Sequence, residues 1–167
     1  MDREAEPQRD DAFLFQLEVS MRVQHLTAVR RFVAELTDSV VHDSELAARL
    51  ALATHELLEN AVKYSVDPSR MVTLKLRADA ERRIHVTVLN VSSEALVAPL
   101  RELLRQLNEA PDPVANYQKM IARSMERDSG SGLGLARIRA EGEMELSCEF
   151  RGDQLSVSAQ AMRGEGQ

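Results

Sequence analysis

The stretch from Leu46 to Tyr64 constrains this chain more than any other. Leu46, Leu50, Ala53, Leu57 and Ala61 fall on one stripe at about 100° per residue, which makes a helix with a face that must be covered. Asp43 or Ser44 can cap its start, and Glu45 suits the positive end of the helix dipole in the first turn. Ser65-Val66-Asp67-Pro68 stops it after Tyr64. A helix of this kind needs a sheet or other helices against its stripe.

The flanking segments supply that partner. Phe13–Val19 alternates as a first strand, and Val23, Leu26, Val29, Val33 and Leu36 place a first helix over Met21–Leu36. Met71–Ala78 and Ile84–Leu89, joined by the polar residues 79–83, form a hairpin rich in valine and threonine. Residues 94–109 are helical, Ala110-Pro111-Asp112-Pro113 breaks them, and Val114–Glu126 is helical again. After a glycine cluster come a short helix over Leu133–Glu141 and a last hairpin, Met144–Phe150 with Gln154–Ala161. Strands and helices do not alternate strictly. The expectation is therefore an α+β fold, a two-layer α/β sandwich whose mixed sheet carries helices on one face. Residues 1–11 and 163–167 are tails, 12–162 the domain, and about 92–129 a lid-like insertion.

Composition narrows the function. The chain has 167 residues, 44% hydrophobic and 29% charged, which suits one globular domain and excludes wholesale disorder. No run approaches the roughly 18 apolar residues of a membrane span. Met1-Asp2-Arg3-Glu4-Ala5-Glu6 lacks the basic start and apolar core of a signal peptide, so the expectation is a cytoplasmic protein without a membrane partner. A net charge of −6 and 4% aromatics argue against nucleic acid. The single cysteine, Cys148, makes no internal disulfide and reads as a small core residue. His25, His42 and His85 are scattered without metal spacing, and His55 lies opposite the apolar stripe, toward solvent.

Two segments carry chemistry. Glu56, Asn60 and Lys63, four and three residues apart, sit together on the flank of the stripe and aim into one cleft beside the sheet. Asn60 offers a neutral oxygen to Mg²⁺, Glu56 can accept a proton or orient a hydroxyl, and Lys63 can neutralise phosphate. The same spacing also describes an ordinary surface helix with a weak Glu–Lys pair. In the second segment, Asp128-Ser129-Gly130-Ser131-Gly132-Leu133-Gly134-Leu135, glycines occupy alternate positions just before a helix. Backbone amides there can approach an anion closely at a helix N-terminus, or the glycines can serve a flexible turn. The spacing is neither a dinucleotide fingerprint nor a Walker loop. Arg123, Arg127 and Arg137 flank this loop as phosphate contacts or as solvated basic surface, and Met120 and Met125 read as packing residues.

Taken together, the segments resemble the Bergerat-fold ATPases of the GHKL superfamily, over about residues 12–162. Glu56-Leu57-Leu58-Glu59-Asn60-Ala61-Val62-Lys63-Tyr64 resembles the N box, and Gly130-Ser131-Gly132-Leu133-Gly134-Leu135 the G2 box. The resemblance implies that Asn60 ligates Mg²⁺, that Glu56 is the catalytic carboxylate, and that Gly130, Ser131, Gly132, Leu133 and Gly134 wrap the triphosphate of ATP. The family's G1 box, Asp-x-Gly-x-Gly, has no counterpart: the chain reads Val88-Leu89-Asn90-Val91-Ser92-Ser93-Glu94, where Asn90 offers one polar contact to a base. Within the superfamily the chain is similar to stand-alone anti-sigma-factor and partner-switch Ser/Thr kinases. Its Tyr117-Gln118-Lys119-Met120 stands where a subgroup with a degenerate G1 box carries a similar stretch. That implies a STAS-type antagonist or a sigma factor as partner, with a homodimer left open. Phosphorylation of the partner and mere sequestration of it are the two activities implied.

Overall fold

The computed structural model describes residues 12–20, 23–67, 69, 71–79, 83–127 and 132–161. Strand β1 (Ala12–Val19) leads through a 3₁₀ turn, Val23–His25, into α1 (Leu26–Val41). This helix starts later and ends later than the apolar spacing predicts. Its end is set by His42, whose left-handed backbone (φ 56°) sends its N–H back to the Asp38 carbonyl at 2.9 Å. Asp43 is then extended, and its carboxylate accepts the Leu46 N–H at 2.9 Å to open α2 (Ser44–Tyr64).

The remaining elements are β2 (Val72–Ala78), β3 (Ile84–Val91), α3 (Glu94–Glu109), α4 (Pro113–Arg127), α5 (Leu133–Ala140), β4 (Met144–Arg151) and β5 (Gln154–Ala161). The α+β class stands, with five strands in the order β1-β2-β3-β5-β4. The sheet is antiparallel throughout and not mixed, since every neighbouring pair runs antiparallel. The reason lies in the last hairpin. It inserts with β5 inward, so β5 meets β3 antiparallel, while β4, which runs in the same sense as β3, is kept one strand away.

Alternation on the central strands sorts the faces. Val72, Leu74 and Leu76 of β2 and Ile84, Val86 and Val88 of β3 are buried on one side, with Leu74 opposite Val88 and Leu76 opposite Val86. Leu50, Ala53, Leu57 and Ala61 of α2 complete the same core, so the stripe read from the sequence is the face that meets the sheet. Side chains of leucine size contribute about 1.5–3 kcal/mol each on full burial, which is why this helix sits where it does.

Outside α2, the helical layer is tied to the sheet edge by polar groups. Asn108 at the end of α3 brackets Leu146 of β4, donating to its carbonyl at 2.6 Å and accepting its N–H at 3.1 Å. Arg139 of α5 donates to the Met144 carbonyl at 2.9 Å. Both contacts satisfy backbone groups on an edge strand that would otherwise be open to pairing. Cys148 on this strand is half-buried and packs against the core, and burial pushes its thiol pKa up.

Candidate functional site

A cavity of about 190 Å³ opens between α2, the sheet and α3. Its walls are Leu57, Asn60, Ala61 and Tyr64 of α2, Val88 and Asn90 of β3, Leu155 and Val157 of β5, and Leu96, Pro99, Leu100 and Leu103 of α3. Ser92, just beyond β3, and Gly132 and Leu135 at the start of α5 complete it. No side chain in this lining carries a formal charge.

Three polar groups interrupt the apolar wall. Asn60 Nδ2 and Ser92 Oγ are buried and have no hydrogen-bond partner among the described residues. Leaving such an atom unpaired costs about 1–3 kcal/mol, so two of them on one wall mark a place where a polar ligand would be stabilised. Asn90, 5% exposed, directs its amide nitrogen to the Ala61 and Val91 carbonyls, both at a long 3.4 Å. α5 begins beside these groups at Gly132, and among the described residues no side chain caps it. Its first amides therefore retain the partial positive charge of a helix start.

The remaining predicted residues lie elsewhere. Glu56 is buried, but it faces α5 rather than the cavity: Arg137 Nη1 donates to its Oε1 at 3.2 Å. Arg137 also donates through Nε to Glu141 Oε2 at 2.8 Å, and that hydrogen bond is the main cause that raises its pKa above the ordinary guanidinium value. Lys63 is exposed, with its Nζ 5.2 Å from the ring centroid of Tyr64. The structure thus brings together Asn60, Asn90 and Gly132, and it separates Glu56 and Lys63 from them. Leu133 and Gly134 continue into the first turn of α5, whereas Gly130 and Ser131 lie outside the described residues.

Two glycines of the predicted loop have a steric reason to be glycine. Gly132 has φ +87°, and a Cβ there would come within 2.8 Å of Leu103 Cδ2. A Cβ at Gly134 would overlap Glu56 Oε2, so with Glu56 in this position α5 approaches α2 closely through a glycine. Two packing expectations are corrected. Met125 is 84% exposed because α4 packs through the face that carries Tyr117 and Met120. His55 is half-buried, with Nδ1 inaccessible and Nε2 3.7 Å from Glu59, because α1 packs along α2. Ser92, Tyr64 and the α3 wall escape sequence reasoning, since nothing local distinguishes them from loop or packing residues.

The family model described as Histidine kinase-like ATPase domain matches residues 19–141. The chain belongs to that family. The match spans both segments from which the GHKL resemblance was read. The fold of this histidine kinase-like ATPase domain is also similar to a chain in "The crystal structure of SiaB-SiaC complex from Pseudomonas aeruginosa". That likeness has a TM-score of 0.69 at 13% identity and covers 89% of each chain. No curated relative matches the sequence. Among the described residues, no helix of the domain is long and apolar enough to cross a membrane.

Proposed function

We propose that this domain is a bacterial, cytoplasmic partner-switch regulator that binds Mg-ATP and phosphorylates a Ser or Thr on a small STAS-type protein. The observation that carries the nucleotide part is the pair of buried, unpartnered atoms, Asn60 Nδ2 and Ser92 Oγ, on the wall of an otherwise apolar cavity. The residues fit the group. Asn60 would offer its amide oxygen to Mg²⁺, an ion that usually keeps several waters and takes few protein ligands. The amides that open α5 would hold phosphate oxygens, and the apolar wall would take the base beside Asn90. Lys63, over the ring of a cavity-lining tyrosine, adds positive charge nearby. Bound Mg-ATP supplies the transferable phosphoryl group. Glu56 accepts the proton of the incoming hydroxyl, in a reaction that needs mainly positioning and electrostatic stabilisation. The likeness to a chain from a protein complex supports the partner half of this reading.

A second reading, a binding module without catalysis that sequesters a sigma factor or antagonist, is favoured by one observation. Glu56 is paired with Arg137 and lies outside the cavity lining. The two readings part on a titration with ATP, with and without Mg²⁺. Asn60→Ala is expected to weaken Mg-ATP binding by about tenfold or more, while Glu56→Gln leaves binding nearly intact and lowers transfer to the partner by roughly 10²–10⁴. Wild-type protein that binds no nucleotide at all leaves only the sequestering module.

A further inference from the structure

Glu56 lies one helical turn from Asn60, yet only Asn60 borders the cavity. Arg137 holds one oxygen of the Glu56 carboxylate, Oε1, and Gly134 lies against the other, Oε2, so closely that a Cβ there would overlap it. A carboxylate held by a guanidinium outside the cavity lining is badly placed to take a proton from a hydroxyl that arrives in the cavity.

The two partners differ in access. The Glu56 side chain is 11% exposed, whereas those of Arg137 and Glu141 are 39% and 46% exposed. Arg137 can therefore be reached from solvent. Glu141, four residues on along the chain, gives Arg137 a second carboxylate that does not depend on α2.

Building on the nucleotide reading above, we infer that Arg137 is a gate on Glu56. Paired, the two fasten α5 to α2 and hold the carboxylate away from the cavity. Once Arg137 turns to Glu141 alone, Glu56 is released to accept a proton from a hydroxyl entering beside Asn60. Arg137 acts here through Glu56 and needs no contact with the reacting atoms.

The test uses the full chain, radiolabelled Mg-ATP and water as acceptor, with binding measured by titration and stability by thermal melting. Arg137→Met is expected to bind Mg-ATP within about threefold of wild type and to raise turnover by about tenfold, while its melting temperature falls. Arg137→Lys, which keeps the charge, stays near wild type. Adding Glu56→Gln to Arg137→Met removes the gain. A residue with a purely structural role would lower turnover and melting temperature together, so the opposite signs are diagnostic. If Arg137→Met fails to fold, Arg137→Gln carries the same expectation. Intact Mg-ATP binding with turnover unchanged or lowered overturns the gate alone. Wild type that binds no Mg-ATP overturns the nucleotide reading and the gate with it.

Discussion

Helices α2 and α4 start in the same way and end up in opposite circumstances. Asp43 accepts the Leu46 N–H at 2.9 Å, and Asp112 accepts the Ala115 N–H at 2.9 Å, so each helix opens on an aspartate cap. Both carry apolar residues at helical spacing. On α2 those residues are sealed by the sheet on one side and by α1 along the other. α4 rests on α5 and touches α3, leaving Val114, Ile121 and Met125 at the surface. Amphipathicity states that a helix has a face to bury, while only the neighbours decide whether the burial is complete. Helix α3 stands between the two extremes, with Val97, Leu104 and Leu107 buried and Asn108 fixed to the edge strand.

The largest expected effect contrasts one core residue with one surface residue. Leu57→Ala removes a side chain that is 2% exposed and should cost about 2–5 kcal/mol in urea unfolding, whereas Met125→Ala should stay within about 0.5 kcal/mol. Equal costs would break the comparison and show that α4 is held as firmly as α2.

The two caps give a smaller and sharper contrast. Asp43→Ala should lower global stability by about 1 kcal/mol. Asp112→Ala should leave the global transition almost unchanged and instead speed amide exchange within residues 113–127. If residues 92–129 act as a lid, the movable part is α4, because α3 is anchored through Asn108. Exchange should then be faster in α4 than in α2 in the free protein and should slow when Mg-ATP is added. Equal protection in both helices, unchanged by nucleotide, would argue for a rigid insertion.

The smallest effect concerns the outer surface of α3. Hydrogen bonds from Arg105 first, and Gln106 second, hold the Glu102 carboxyl down at about 2, below its ordinary 4.5. A lowered carboxylate pKa stabilises the fold fully above the unfolded value and loses that contribution as pH falls through the folded one. Glu102→Gln should therefore reduce the loss of stability between about pH 4.5 and 2 slightly, as acid unfolding would show.

Much of the architecture was legible because its signals are local. The Asp43 cap, the break at 110–113 and the alternation of β2 and β3 depend on residues within a turn or a strand, and those elements formed where they were read. The site was legible only in part. Asn60 and Gly132 carry local signatures, a helix flank and a glycine before a helix, and both reach the cavity. Ser92 has no such signature, because a serine after a strand becomes an unpaired cavity atom only when α2, α3 and β5 close around it.

Local propensity and apolar period, acting over a few residues, set the elements and the inward face of α2 from the sequence alone. Tertiary structure decided the rest through partners distant in the chain. It placed β5 inside β4, which made the sheet antiparallel throughout. It also set Arg137, 81 residues beyond Glu56, against that carboxylate while Asn60, a single turn away, met the cavity. Helical spacing puts two side chains on one flank, but their surroundings follow from which elements pack there, and that choice rests on burial summed over the whole fold.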